Sequence, residues 1–321
     1  MMLHRRSLIA ATAALPFAAR AEDPFPNRAL RLLVPYAAGG GTDAVARTFA
    51  ARLGSTLGQT VVVDNKPGAG GNIATEACAT AKPDGYTLLV GNQGPMAANP
   101  SLFRRLPADP ATTLTPVGLI ADAPLVVVVG PKTRAATLAA LIAEAKAAKG
   151  DMTYASASNG SASHLAAALM CQLGGFEATH IPFRGAAPGL TEVVAGNIAF
   201  MVTTLPSVTG LIQGGQVRAL AVTGTARAAV LPDVPTVAET LPGYRATAWY
   251  GVMVPKGVPQ PVLDKLWTAM RATLTSAEVG ERLRGEGAEP GTMDGAAFGR
   301  FIAEERTRWA GVIRAANITL D

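Results

Sequence analysis

The chain has 321 residues, 28 Lys plus Arg against 23 Asp plus Glu, and a formal net charge of +5. Such basicity invites a nucleic-acid or anionic-membrane partner. However, Arg5, Arg6 and Arg20 lie in a stretch with the form of an export signal: a charged start, an apolar run over residues 8–19 and an Ala19-Arg20-Ala21 end. Cleavage after Ala21 leaves 25 basic and 23 acidic side chains, a net +2, so no nucleic-acid partner is expected.

The Arg5-Arg6 pair resembles a twin-arginine signal only faintly, and general secretion is favoured. The apolar run is too short for a membrane anchor, which needs about 20 residues. The remaining 300 residues exceed one ordinary core and predict two lobes. Hydrophobic residues make up 49% against 5% aromatic, with 34 Gly and 23 Pro, as suits an α/β protein with many tight connections. Cys78 and Cys171 permit one disulfide, but each sits in an Ala-rich helical stretch and reads better as a buried thiol.

From residue 30 onward, short apolar runs alternate with helical periodicity, the pattern of βα units in a mostly parallel sheet. Strands are predicted at 30–34, 60–64 and 86–90, with helices at 43–57 and 71–81 between them. The first helix shows a stripe of Val45, Phe49, Leu53 and Leu57 spaced by four. The apolar run 116–129, interrupted by Pro124, reads as a strand crossing between lobes. A second series follows: helices at 137–148, 161–173 and 187–195, and strands at 152–155, 178–183 and 198–203. The run 217–222 is assigned as the return crossing. A strand at 249–254, a helix at 259–276 and an amphipathic helix at 296–316 close the chain, the last expected to pack across the first lobe. The division is 1–21 export signal, 22–123 with 226–321 first lobe, and 124–225 second lobe.

Ligands of open α/β sheets bind beyond the carboxyl ends of strands, so the strand-to-helix turns matter most. Residues 35–43, Pro-Tyr-Ala-Ala-Gly-Gly-Gly-Thr-Asp, bring glycines and free helix N–H groups together, which suits an anion. The same turn reads equally well as one merely capped by Thr42 or Asp43. Walker and G-x-G-x-x-G patterns are missing, and Asn65-Lys66-Pro67-Gly68 carries its lysine before the glycines, so it reads as a structural connection. Residues 155–164 add hydroxyls and an amide at a third turn, suited to a carboxylate without a fixed cation. The G-x-S-x-G elbow and zinc-ligand spacings are absent, and His164 reads as a packing or capping residue. No cofactor or metal is expected. Arg184, at a loop edge, reads as solvated rather than as a carboxylate clamp.

Several motifs together resemble the Bug proteins, the periplasmic receptors of tripartite tricarboxylate transport systems. They are Pro35-Tyr36-x-x-Gly39-Gly40-x-x-Asp43-x-x-Ala46-Arg47, Asn65-x-Pro67-Gly68-Ala69-Gly70-Gly71, Asp84-Gly85-Tyr86-Thr87-Leu88-Leu89 and Pro182-Phe183-Arg184-Gly185-Ala186-Ala187-Pro188. Leu231-Pro232-Asp233-Val234-Pro235, Trp249-Tyr250-Gly251 and Val254-Pro255-Lys256-Gly257 continue the match in order, although Phe183-Arg184 replaces a commoner Tyr-Lys. The resemblance implies a two-lobed Venus-flytrap fold of type II with two crossing strands at the hinge. It also implies a small carboxylate ligand, of dicarboxylate, tricarboxylate or acidic amino acid type, and delivery to a membrane permease from the periplasm. Carried over, the ligand-binding residues are Tyr36, Ala38, Gly39 and Asp43, then Gln93, then Ser156, Asn159 and Gly160, then Gly185, Ala186 and Thr203. Such a receptor is expected to be monomeric and not an enzyme. Two rivals share parts of this reading: an exported hydrolase or isomerase built around residues 156–164, and a sensor for a membrane signalling protein.

Overall fold

The structure, a computed structural model, describes residues 25–315 and Ile318, so the expected export signal lies outside the described residues. The chain opens with β1 (Leu30–Val34), α1 (Gly41–Leu57), β2 (Val61–Asn65), α2 (Asn72–Ala79) and β3 (Thr87–Asn92). β1 pairs in parallel with β2 and with β3, Leu32 lying opposite Val63 on one side and Leu88 on the other. Leu30, Leu32, Leu33 and Val34 are all buried, as a parallel strand covered on both faces requires. Along α1, Val45, Phe49 and Leu53 form the buried stripe, whereas Leu57 is only half-buried. Gly58 ends the helix in the left-handed region, φ 69°, returning its N–H to the Gly54 carbonyl.

A single π turn at Gly94–Ala98, α3 (Asn99–Leu102) and α4 (Pro110–Thr113) lead into β4 (Leu114–Val129), 16 residues long. The second series is α5 (Leu138–Ala148), β5 (Gly150–Ser156), α6 (Ala162–Gly174), β6 (Ala178–Pro182), α7 (Ala186–Ala195), β7 (Phe200–Thr204), α8 (Leu205–Gln213) and β8 (Arg218–Val222). The chain then forms α9 (Val237–Thr240), β9 (Thr247–Pro255), α10 (Gln260–Leu274), α11 (Ala277–Gly285), β10 (Glu289–Pro290) and α12 (Gly295–Ala315).

The strand order is β2-β1-β3-β9-β4-β7-β5-β6, with β8 and β10 also on β4. Parallel triplets, β2-β1-β3 and β7-β5-β6, therefore stand at either side of an antiparallel centre. The sheet is mixed rather than mostly parallel, because β9 re-enters the first lobe antiparallel to both β3 and β4, and β4 meets β7 and β8 antiparallel in the second. β4 pairs with β9 from Leu114 to Pro124, then with β7 from Leu125 to Val129 on one side and with β8 from Val126 to Val129 on the other. Pro124, which lacks an N–H, falls where the partner changes. β8 bonds only within the second half of β4, so the return passage lies after it, between Thr223 and Thr247.

α12 packs on β4 and on the π turn, burying Phe298, Trp309 and Ile313. One buried carboxylate fixes it: Glu305 Oε2 accepts from the indole N–H of Trp249 (3.0 Å) and of Trp309 (2.8 Å). Cys78 and Cys171 are free thiols, each pushed up to about 12 by burial.

Candidate functional site

The loop between β1 and α1 is held by Asp43. Its Oδ2 accepts from the Gly39 N–H (3.0 Å) and Arg47 Nε (2.9 Å), and its Oδ1 accepts from Asn65 Nδ2 (3.0 Å), which also donates to the Tyr36 carbonyl. Gly39 can present that N–H because it sits at φ 82°. Burial opposes the charge on Asp43. Its bonds to Arg47, Gly39 and Asn65 and the Arg47 charge outweigh that, and hold the carboxyl below its usual range. The acid is therefore spent on shaping the turn, which leaves Tyr36 buried with its Oη 3.4 Å from Asn92 Oδ1.

In the second lobe, Ser161 caps α6. Its Oγ accepts from His164 N (3.3 Å) and donates to the Ser158 carbonyl (2.6 Å). Behind this turn the His164 and His180 rings stack, centroids 3.8 Å apart and planes 6° off parallel. His164 Nδ1 accepts from the Gly160 N–H (3.1 Å), and His180 Nε2 shares a 2.6 Å bond with Ser156 Oγ. Burial pushes both imidazoles down, to about 3 for His164, where the neighbouring ring adds to the effect, and to about 4 for His180. Both rings are neutral at physiological pH, and their ring nitrogens fix the turn.

The lobes meet at glycines. The Ala37 N–H donates to the Arg184 carbonyl (2.9 Å), and the Gly41 N–H to Ser207 Oγ (2.8 Å), which also bonds Thr204 Oγ1 (2.6 Å). A methyl group on Gly185 would stand 3.1 Å from the Ala37 Cβ.

Between them lies a cavity of about 40 Å³. Gly40, Gly41 and Thr42 bring the start of α1 to it, Ser161–Ser163 that of α6, Ala186 that of α7, and Thr204 with Ser207 that of α8. Four helix N-termini thus converge, and the partial positive charge of each favours an anion. The β3–β9 side supplies Asn92, Gln93, Trp249 and Tyr250. The lining contains no ionisable acid or base other than the two phenols, Tyr36 and Tyr250.

Of the residues singled out in the sequence, Tyr36, Gln93, Ala186 and Thr203 line this cavity. The Gln93 amide, in the orientation that satisfies its neighbours, donates to the Thr247 carbonyl (3.1 Å) and shares with Glu305 the one indole N–H of Trp309 (2.7 Å). Ala38, Gly39, Asp43, Ser156, Asn159, Gly160 and Gly185 stand outside the lining. Gly39 and Asp43 shape the first loop, and Ser156 and Gly160 bond the two histidines. Asn159 and Gly185 face the opposite lobe so closely that a methyl group on Gly70 would stand 3.2 Å from the Asn159 carbonyl, and one on Gly185 3.1 Å from the Ala37 Cβ. Sequence reasoning missed Ser207, Asn92 and Tyr250. For Ser207 a signal existed: Pro206 at the first turn of an apolar helical stretch marks a helix start. Arg184 is exposed, in keeping with its solvated reading.

Residues 45–318 match the family described as tripartite tricarboxylate transporter family receptor. Protein BugT of Bordetella pertussis is 37% identical over 300 residues, 93% of this chain and 92% of its own. Among solved structures, R. palustris Rpa4515 with adipate superposes with a TM-score of 0.90 at 36% identity, covering 92% of this chain and all of that one. MatC from Rhodopseudomonas palustris, with bound malate, gives 0.86 at 33% identity over 90% of this chain and all of that one. The periplasmic binding protein BugD gives 0.88 at 33%, covering 92% of this chain and all of its own. With its two lobes and its shared central strand, the chain belongs to the Bug receptors of the tripartite tricarboxylate transporter family.

Proposed function

We propose that this protein is a periplasmic receptor that closes its lobes on a small carboxylate, of dicarboxylate, tricarboxylate or acidic amino acid type, and delivers it as a monomer to a tripartite tricarboxylate permease. The carrying observation is the convergence of four helix N-termini on a cavity lined by no fixed cation. A partly buried helix terminus is worth up to about 2 kcal/mol to an anion, and a hydrogen bond to a charged group nets roughly 1.5–3. Two termini and a few such bonds reach the order of 8 kcal/mol of micromolar binding. The adipate and malate of the R. palustris relatives support the ligand class.

The lobe boundaries proposed are 22–123 with 226–321, and 124–225, which the partner change at Pro124 supports. No described helix is long and apolar enough to cross a membrane. Against the enzyme reading, Ser156 is fully buried, and among the described residues no carboxylate bonds either histidine ring. The test is isothermal titration of protein refolded free of ligand against a panel of small carboxylates, with scattering to follow compaction. Micromolar binding with compaction is expected; no binding across the panel overturns the reading.

A further inference from the structure

Tyr250 is the only cavity-lining residue among those described with a buried polar atom that nothing in the protein bonds. It is 2% exposed, on β9, in register with Asn92 on β3 and Ala121 on β4. It neighbours Thr204, whose hydroxyl acts to lower its pKa against the larger rise from burial, and Tyr36, whose own pKa it raises; both line the cavity. Thr204 Oγ1 is already engaged with Ser207 Oγ at 2.6 Å, and Tyr36 Oη with Asn92 Oδ1 at 3.4 Å. No acceptor stands within hydrogen-bonding geometry of the phenol, which is left a donor without a partner at the junction of the lobes.

A phenylalanine would fill the same volume without the cost of a buried, unsatisfied hydroxyl. What the hydroxyl adds is a neutral donor, and burial raises its pKa far above the usual value, so it keeps its proton at any physiological pH. The helix N-termini supply backbone N–H groups for one carboxylate. The β3–β9 side instead presents the amide of Asn92 and this phenol, beside the indole of Trp249. That chemistry holds a further oxygen by hydrogen bonding rather than by an ion pair.

We infer that Tyr250 is a specificity-determining residue whose hydroxyl donates to a second oxygen function of the ligand, a hydroxyl, keto or second carboxylate group, and so selects against plain monocarboxylates. The inference rests on the carboxylate-receptor reading above. A site with a buried donor rejects ligands that leave the donor unpaired far more strongly than it distinguishes ligands by size.

The test measures affinities of malate against butyrate and of adipate against hexanoate, for the natural protein and for Tyr250→Phe, by titration or competition. The natural protein is expected to prefer the oxygen-bearing member of at least one pair by about 10-fold or more. Tyr250→Phe is expected to reduce that preference about 5- to 20-fold with the monocarboxylate affinity unchanged. The melting temperature of the ligand-free variant should match or exceed that of the natural protein, since an unsatisfied group has been removed. Preference retained in the variant overturns the inference. So does an equal loss for both members of a pair, or a lower melting temperature, either of which marks a packing role. If the natural protein binds none of the four probes but binds another small carboxylate, the assigned selectivity is wrong while the receptor reading stands; if it binds no carboxylate, both fall.

Discussion

The amide of Gly41 in the first lobe donates to the hydroxyl of Ser207 in the second, 166 residues away in sequence and 2.8 Å away in space. Helix α1 begins at Gly41, and its N-cap residue, Gly40, has no side chain to cap it. It therefore takes its cap from across the cleft, and only when the lobes are together. A methyl group on Gly41 would stand 2.3 Å from Thr204 Oγ1 and 2.7 Å from Ser207 Oγ.

Gly41→Ala is therefore expected to fold but not to close. Small-angle scattering should show no compaction on adding ligand, and affinity should fall by about 100-fold or more, on the order of 3 kcal/mol of overpacking. Ser207→Ala removes only the cap and should weaken binding about 5-fold, in line with a loss near 1 kcal/mol. A Gly41→Ala protein that compacts normally would show that the cross-lobe bond is incidental.

Asp43 braces the first loop, so Asp43→Ala should lower stability by about 2 kcal/mol, as expected when a partly buried acceptor of three donors is removed. The brace has a sign in pH. Because its pKa is lowered on folding, its contribution is present above the ordinary carboxylate range and is lost as pH falls through the folded value. The gap between the urea melts of the two proteins should narrow as the pH is lowered below the ordinary carboxylate range.

The histidine pair acts in the same direction at higher pH. Both rings are held neutral, at about 3 and about 4, so their contribution is full above the unfolded value of 6.5 and declines as pH falls toward 4. A stability profile from pH 7.5 to 4.5 should fall by about 2 kcal/mol or more. His180→Gln, which can still bond Ser156, should flatten that profile; an unchanged slope would place the loss elsewhere.

Asp122 behaves oppositely. Two residues before Pro124 in β4, it is raised from 3.8 to about 6, mainly by burial, with the Glu305 charge adding to the rise and Thr247 and Arg245 opposing it. Its contribution is complete below 3.8 and lost as pH rises through 6, a difference of about 3 kcal/mol. Asp122→Asn should thus be more stable than the natural protein at pH 8 and no more stable at pH 4, as melting at the two pH values would report.

Much of the fold could be read from periodicity. The stripe of Val45, Phe49 and Leu53 places α1, and Thr137 and Ser161 cap α5 and α6 one residue before each begins. The antiparallel centre could not be read this way, because pairing between β4 and β9 joins residues more than a hundred positions apart and leaves no local pattern. The site was legible as loops but not as side chains. Asp43 and Ser156 look like ligand groups by type and position. Yet a hydrogen bond from Asn65 to the one and a hydrogen bond shared with His180 by the other, both partners distant in sequence, turn them inward. Tyr250 carried no such signal, since an unsatisfied hydroxyl is visible only once its surroundings are in place.

β4 runs unbroken through both lobes, one half bonded to β9 and the other to β7 and β8. A connection of that kind bends as a ribbon does, by spreading twist along many hydrogen-bonded residues, and it resists the free swing that a pair of loops would permit. It also means that neither lobe owns a complete sheet. Excising residues 124–225 would cut a strand in two and strand its partners, so the protein should melt in a single calorimetric transition rather than lobe by lobe.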